Sequence, residues 1–433
     1  MAFDTPLSLR GAMIYQVDPR TFGPAGKLSD IGPHLPRIRE LGTDIVYLMP
    51  FYPIGEKGRL GRYGSSYCIR DHRAVNPDLG TLDDVARLAD SVHAQGMRLM
   101  IDAVFNHSSQ DCVLFARHPG WMSRTSDGGP ARKIAEWIDA VDLDWSHRGL
   151  WDWMLGTLEH WIGLGVDGFR CDVAAMVPLG FWIEARARVA ALKPGVTWLA
   201  ESSSPGGILR LRTRGYPSSS DAELFQAFDI CYDYDIHHLL RRYFAGEADL
   251  EPWLEALRRQ MYSYPGNFVK LRFLENHDLE RFALIAKSRA QLVAWTALLF
   301  FLQGTTMIFA GQESGATVRM DSADAIPHLD WSASDVELAG LVRRLAAMKK
   351  HPAFAEGVFT VRDSGRRGVV FATHGWKGTT WAGVFNVEGR HGTVATGLAD
   401  GSYENLAGGP SVVVKDGAVA LRGDPMIFVV PGA

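Results

Sequence analysis

The sequence predicts an α/β chain: a (β/α)8 TIM barrel with a short insertion after its third strand and an antiparallel β domain at the C-terminal end. Three observations predict it. Short apolar runs that read as strands alternate eight times with longer stretches of helical spacing, the pattern of parallel strands joined by right-handed crossovers. The alternation breaks once, over residues 108–140, where Gly128-Gly129-Pro130 sits in a stretch of little period. After His351-Pro352 the texture changes to short β-branched and aromatic runs among glycines and turn residues, which reads as a separate β domain. A chain of 433 residues, 47% hydrophobic, is long enough to bury one large core and a smaller one. The expected boundaries are 1–107 and 141–352 for the two parts of the barrel, 108–140 for the insertion and 353–433 for a C-terminal β-sandwich.

In chain order, residues 12–17 are a first apolar strand. Residues 31–41 have helical spacing and end at Gly42, a natural stop. Residues 44–49 are the second strand. Residues 82–95 are an amphipathic helix between Thr81, a candidate N-cap, and Gly96. The third strand is 98–105. After the insertion, a Trp-rich helix over 150–164 leads to the fourth strand, 168–172. A helix over 181–192, the fifth strand over 197–200 and a sixth over 227–232 follow. Helices over 237–244 and 250–261 precede the seventh strand, 268–273. A helix over 288–302, the eighth strand over 306–310 and a helix over 336–350 close the set. In the last segment, 369–372, 412–414 and 426–430 read as strands.

Composition narrows the function. The net charge is −4 with no basic run, so neither nucleic acid nor an acidic membrane surface is an expected partner. The run 292–302 is apolar but too short to span a bilayer. Residues 1–10 lack the basic-then-apolar pattern of a secretory leader. Cys68, Cys112, Cys171 and Cys231 have no metal-ligand spacing. Free thiols and a cytoplasmic protein are therefore expected; the oligomeric state is left open.

In such a barrel, reactive side chains sit at the C-terminal ends of the strands. The third strand runs into Asp102-Ala103-Val104-Phe105-Asn106-His107, and the fourth is Gly168-Phe169-Arg170-Cys171-Asp172. The fifth ends at Glu201, and the seventh runs into Glu275-Asn276-His277-Asp278. Strand alternation puts Arg170 and Asp172 on one face, where an ion pair would keep Asp172 ionised. An ordinary buried Arg–Asp pair is the plain alternative, and any one rim His or carboxylate is more often a satisfied surface group. Together, Asp172, Glu201, Asp278, His107, His277 and Arg170 would converge on one rim. Paired carboxylates suit cleavage of a glycosidic bond: one an ionised nucleophile, the other protonated at rest. Glu201 follows an apolar strand, where desolvation and neighbouring carboxylates would raise its pKa. The two histidines can bond sugar hydroxyls, and the thirteen tryptophans and twelve tyrosines offer flat faces to sugar rings.

These segments resemble the four short regions that define the α-amylase superfamily of glycoside hydrolases, family 13. Residues 102–107 resemble the first region, 168–172 the second, Glu201 the third and 273–278 the fourth. The resemblance implies Asp172 as nucleophile, Glu201 as general acid/base and Asp278 as transition-state stabiliser, with Arg170, His107 and His277 at substrate-site positions. Gly64-Ser65-Ser66-Tyr67, with Asp71 and the later Asn76-Pro77-Asp78-Leu79-Gly80-Thr81, is similar to the family's loop after the second strand. There Tyr67 matches the tyrosine that stacks on the sugar. Val141-Asp142-Leu143-Asp144 loosely resembles a fifth motif.

The sequence also departs from the family pattern. Ala175 and Met176 stand where many members have a Lys-His pair, which removes a sugar contact and a histidine whose carbonyl helps to hold calcium. Asn106 matches a calcium ligand, with Asp111 and Asp127 as candidate partners; calcium is possible but not favoured, and no other cofactor is expected. Gly64 stands where several exo-acting relatives carry an aspartate, which suggests an open minus side. The run Ser202-Ser203-Ser204 has no reading from sequence. The expected function is a retaining hydrolase of α-linked gluco-oligosaccharides. A transglycosylase or a sucrose- or trehalose-type enzyme on the same site is the near alternative, and a non-catalytic carbohydrate-binding protein the distant one.

Overall fold

The computed structural model describes residues 2–319 and 326–432. Its central feature is a closed barrel of eight parallel strands. These are β1 (Met13–Val17), β2 (Ile45–Leu48), β3 (Arg98–Ala103), β6 (Gly168–Cys171), β7 (Thr197–Ala200), β8 (Ile230–Tyr232), β9 (Val269–Arg272) and β10 (Thr305–Phe309). The insertion supplies β4 (His107–Ser109) and β5 (Ala140–Asp142). Barrel strands are buried on both faces and so read as near-continuous apolar runs. Ile14, Tyr47, Met100, Leu199, Ile230, Leu271 and Met307 pack together in the lumen. The alternate residues, among them Phe169, Cys171 and Trp198, pack outward under the helices.

Most helices fall where the spacing places them. Thr81 caps Leu82–Ala94 by accepting the Asp84 N–H, Ser288 caps Arg289–Phe301 and Asp335 caps Val336–Lys349. The first helix is a correction. Over the predicted 31–41, only Leu35–Glu40 is α-helical, preceded by 3-10 turns at Leu28–Asp30 and Gly32–His34, because Pro36 lacks the N–H that a helix begun at residue 31 would bond to the Gly32 carbonyl. The sixth strand is also shorter than predicted, since helical turns at Asp221–Leu224 take up the approach to it.

The insertion is tied at its base by an antiparallel ladder that the sequence did not announce. In it β4 pairs with β5, His107 opposite Asp142 and Ser109 opposite Ala140. Three residues a strand is too few for a period to show. The C-terminal segment forms two antiparallel sheets. One holds β11 (Val358–Arg362), β12 (Val369–Trp376), β13 (Thr379–Asn386) and β18 (Met426–Pro431); the other holds β14 (Thr393–Ala395), β15 (Gly401–Tyr403), β16 (Val412–Lys415) and β17 (Ala418–Ala420). Phe371, Val384, Val394, Val412 and Phe428 fill the space between them. Against the barrel, Phe301 packs on His374 and Phe385. The four cysteines are buried and free of disulfides. Among the described residues, no helix is long and apolar enough to cross a membrane.

The N-terminal rim of the barrel is stitched by aspartates that precede strands. Asp44 accepts the Met13 N–H at 2.7 Å. Asp167 accepts the Leu99 N–H at 2.8 Å, with His93 Nε2 and Lys193 Nζ each at 2.7 Å. Asp229 accepts the Trp198 N–H at 2.9 Å and bonds Thr5 and Arg186.

Candidate active site

The opposite rim is built on Arg170. Strand register sets Asp102 of β3 beside Arg170 of β6, and Arg170 beside Leu199 of β7. The guanidinium is fully buried; its Nη1 donates to Asp102 Oδ1 at 2.7 Å and to Asp172 Oδ1 at 2.9 Å. Nη2 makes an ion pair with Glu201 Oε1 at 2.9 Å. The rings of Tyr67 and Tyr232 lie near its carbon, at 5.6 and 5.5 Å. Tyr47 and Tyr67 donate their hydroxyls to Asp102 Oδ2, the latter at 3.1 Å. Asp102 thus forms the floor, a fourth carboxylate absent from the predicted set. Its signal was within the quoted first segment, in line with Arg170 on the neighbouring strand.

The expected Arg170–Asp172 pair is present, but the one guanidinium is shared among three carboxylates. Burial, then the Glu201 carboxylate, pushes Asp172 well above the usual carboxylate range; Arg170 pulls the other way without prevailing. The other oxygen of Asp172, Oδ2, is buried with no hydrogen-bond partner among the described residues. Glu201 Oε2 accepts the Val173 N–H at 2.7 Å. To aim that N–H, Val173 adopts left-handed backbone angles, φ 35° and ψ 45°, a costly conformation for a β-branched residue. The serine run now has roles: Ser202 Oγ donates to the Tyr232 carbonyl at 3.1 Å, and Ser204 caps the helix Pro205–Thr213.

Across the cavity, Tyr67 and His277 stack with ring centres 5.2 Å apart. Gln16 Nε2 is 2.9 Å from His277 Nδ1, and His277 Nε2 is 2.7 Å from the Tyr67 hydroxyl. With Gln16 donating, the ring proton sits on Nε2 and points to Tyr67, whose own proton goes to Asp102. Burial, then Arg170, lowers His277 to about 4, so the ring is neutral. Asp278 stands 3.5 Å from His277 Nε2 with about half of its side chain open, 53%. His107, lowered to about 3 by burial and by Lys133, lies against Trp137 with ring centres 4.9 Å apart. Tyr67, His107, Asp172, Glu201, His277 and Asp278 all line one cavity of about 230 Å³. Arg170 lies beneath it. Trp137 and Val173 also line it and were not predicted, Trp137 because the insertion has no period to place it. Gly64 has φ +71°, and a Cβ there would meet Arg59 and Ile54 at 2.9 Å, so this backbone leaves no room for the aspartate of exo-acting relatives.

The calcium ligands considered from sequence do not assemble. Asp111 accepts the Glu56 N–H at 3.0 Å and pairs with Arg70; Asp127 folds onto its own loop at Thr125 and Gly129. Asn106 Oδ1 instead accepts Lys133 Nζ at 2.7 Å, and that ammonium is 3.6 Å from Asp142 Oδ2. An amide oxygen already bonded to an ammonium does not fit a calcium ligand set.

The profile described as alpha amylase, catalytic domain, matches residues 12–127 and 213–366, and that of the bacterial alpha amylase C-terminal domain matches 360–428. A crystal structure of an alpha-amylase from Lactobacillus plantarum is 39% identical, with TM-score 0.92 over 98% of this chain and 99% of that one. A maltogenic alpha-amylase from Thermotoga neapolitana is 29% identical, with TM-score 0.87 over 98% of this chain and 100% of that one. The alpha-amylase MalA of Haloarcula japonica is 27% identical over 98% of this chain, which spans only 63% of that protein. An alpha-1,4-glucan:maltose-1-phosphate maltosyltransferase of Burkholderia pseudomallei is 33% identical over 45% of this chain and 19% of its own length.

Proposed function

The chain belongs to the alpha-amylase superfamily of glycoside hydrolases, and from that premise we propose that it is a retaining hydrolase of α-glucosidic bonds in short gluco-oligosaccharides. The observation that carries the reading is the shared guanidinium: Asp172 and Glu201 each sit 2.9 Å from an η nitrogen of Arg170. Two carboxyls gathered on one fork favour the retaining separation of about 5–5.5 Å over the wider inverting one.

Asp172 is the nucleophile in this reading, and its unpartnered Oδ2 is the oxygen that attacks. The crowded cluster holds a proton at rest, and its titration belongs to the group as a whole. A glycosidic oxygen arriving beside Glu201 takes that proton as the bond to the anomeric carbon breaks, while Asp172 closes on the same carbon. Glu201 then removes a proton from water, the water oxygen attacks the anomeric carbon, and the bond to Asp172 breaks. Asp278, open to the cavity, stabilises the oxocarbenium-like transition state; Tyr67 and the neutral His107 and His277 hold the ring and its hydroxyls. A sugar hydroxyl in place of water would give transfer, the activity named for the maltosyltransferase relatives.

The test is a panel of α-linked substrates (malto- and isomalto-oligosaccharides, trehalose, sucrose) followed by proton NMR before mutarotation. The α-anomer is expected first, and longer products would identify transfer. An initial β-anomer would remove Asp172 from the nucleophile role. No turnover of any α-glucoside would favour a binding protein.

A further inference from the structure

The junction of insertion and barrel carries a cation of the chain's own. Lys133, buried, comes from the insertion; Asn106 follows β3, and Asp142 ends β5. Lys133 Nζ donates to Asn106 Oδ1 at 2.7 Å, and its backbone N–H donates to Asp142 Oδ2 at 2.7 Å. The ammonium itself lies 3.6 Å from the same carboxylate oxygen. A buried amide oxygen facing a carboxylate is the kind of donor set a hard cation takes, and here an ammonium fills it.

The arrangement also decides the state of His107. An ammonium only donates, so it must face the oxygen of the Asn106 amide. The amide nitrogen is thereby turned to the far side, 3.2 Å from His107 Nδ1 and 3.4 Å from Asp142 Oδ1. Donating to Nδ1, it leaves the imidazole proton on Nε2, where the Tyr67 backbone carbonyl and a group in the cavity can share it. Without Lys133 only the longer bond to Asp142 Oδ1, 3.4 Å, would hold the amide in that sense, and a flipped amide would draw the proton to Nδ1.

We propose that Lys133 stands in for a divalent metal at this junction and, by locking the Asn106 amide, positions His107 as a hydrogen-bond donor to the sugar. The part that concerns substrate rests on the glycosidase reading; the tautomer and the metal independence do not.

The test joins histidine nitrogen-15 NMR, calorimetry and kinetics. In the wild-type chain, His107 should show the Nε2–H tautomer. Calcium chloride should give no binding heat, and EDTA no change in melting temperature. In Lys133→Met, which keeps the length and removes the charge, His107 should show mixed tautomers, and KM should rise about tenfold with kcat changed less. An Nδ1–H tautomer in the wild type, or calcium binding that raises its melting temperature, would overturn the proposal without any variant being made. So would a folded Lys133→Met that keeps the Nε2–H form and an unchanged KM. If the NMR behaves as expected but no α-glucoside is turned over, the glycosidase reading fails while Lys133's role stands.

Discussion

The two rims of the barrel use the same functional group to opposite ends. At the N-terminal rim, Asp167 collects a backbone N–H, a histidine and a lysine. Against the desolvation that would raise it, those bonds hold it below its ordinary value. At the C-terminal rim, Asp102, Asp172 and Glu201 share one guanidinium, and Asp172 is left with a buried oxygen that nothing among the described residues bonds. The first arrangement ties strands together. The second stores like-charge repulsion and an unsatisfied acceptor, which is destabilising in itself and useful only where an electrophile is to be met. A carboxylate's surroundings, more than its presence, separate scaffold from chemistry.

The sharpest way to break this comparison is Asp172→Asn. Turnover should fall by at least about 10^4-fold, as expected when a nucleophile is removed. The same change should stabilise the fold by about 1 kcal/mol, because it removes repulsion. The sign follows from the titration: a carboxylate raised above its ordinary value of 3.8 opposes folding more as pH climbs from 3.8 through the raised value. The melting-temperature gain of the variant should therefore widen from pH 4 towards neutral. Calorimetry across that range, beside activity, checks it; a variant less stable than wild type at neutral pH would contradict the account of the C-terminal rim.

The N-terminal rim should give the reverse. Asp167→Asn, at the rim away from the cavity, should leave kcat within about twofold and cost about 1–2 kcal/mol of stability, because the pairs it breaks with Lys193 and His93 are only part-buried. Asp167 is held below 3.8, so its contribution is complete above that value and is lost as pH falls through the lower folded value. The gap between wild type and variant should close below pH 4. Denaturant melts at pH 7 and at pH 3 measure it, and an equal gap at both would show that the Asp167 charge is not what ties the strands.

How much of this could be read from sequence also divides along the rims. Arg170, Asp172 and Glu201 could be placed because they lie at or just past the ends of β6 and β7, and His277 and Asp278 because they follow in the segment beyond β9. The sharing of Arg170 was not visible because a pair along one strand shows in sequence, whereas the competing Glu201 and Asp102 belong to neighbouring strands. Register across the barrel decides that competition. Lys133 and Trp137 lie in a stretch without period, and nothing local says that they fold back onto Asn106 and His107. Asp167 and Asp229, each just ahead of a strand, look like ordinary loop aspartates until the neighbouring strand's N–H is seen against them.

The smallest predicted effect probes whether strain belongs with the functional rim. Val173 follows Asp172 and is held at φ 35° and ψ 45°, with its N–H on Glu201 at 2.7 Å. Left-handed backbone costs an ordinary L-residue about 1–2 kcal/mol, and branching at Cβ adds to it. Glycine removes that cost, but it also adds freedom to the unfolded chain, worth about 0.5–1 kcal/mol in the other direction. Val173→Gly should therefore come out neutral to about 1 kcal/mol more stable. With the loop free to relax, the N–H no longer fixes Glu201 as tightly, and kcat should fall several-fold while KM moves less. Val173→Ala keeps a Cβ and its left-handed strain; it separates the loss of the valine side chain from the relaxation of the backbone. If alanine retains most of kcat and glycine does not, the strained N–H is what positions Glu201. If both lose kcat equally, the valine side chain in the cavity is what matters. If glycine destabilises the fold, the left-handed turn was not strained, and the contrast between a relaxed and a stressed rim would have to rest on the carboxylates alone.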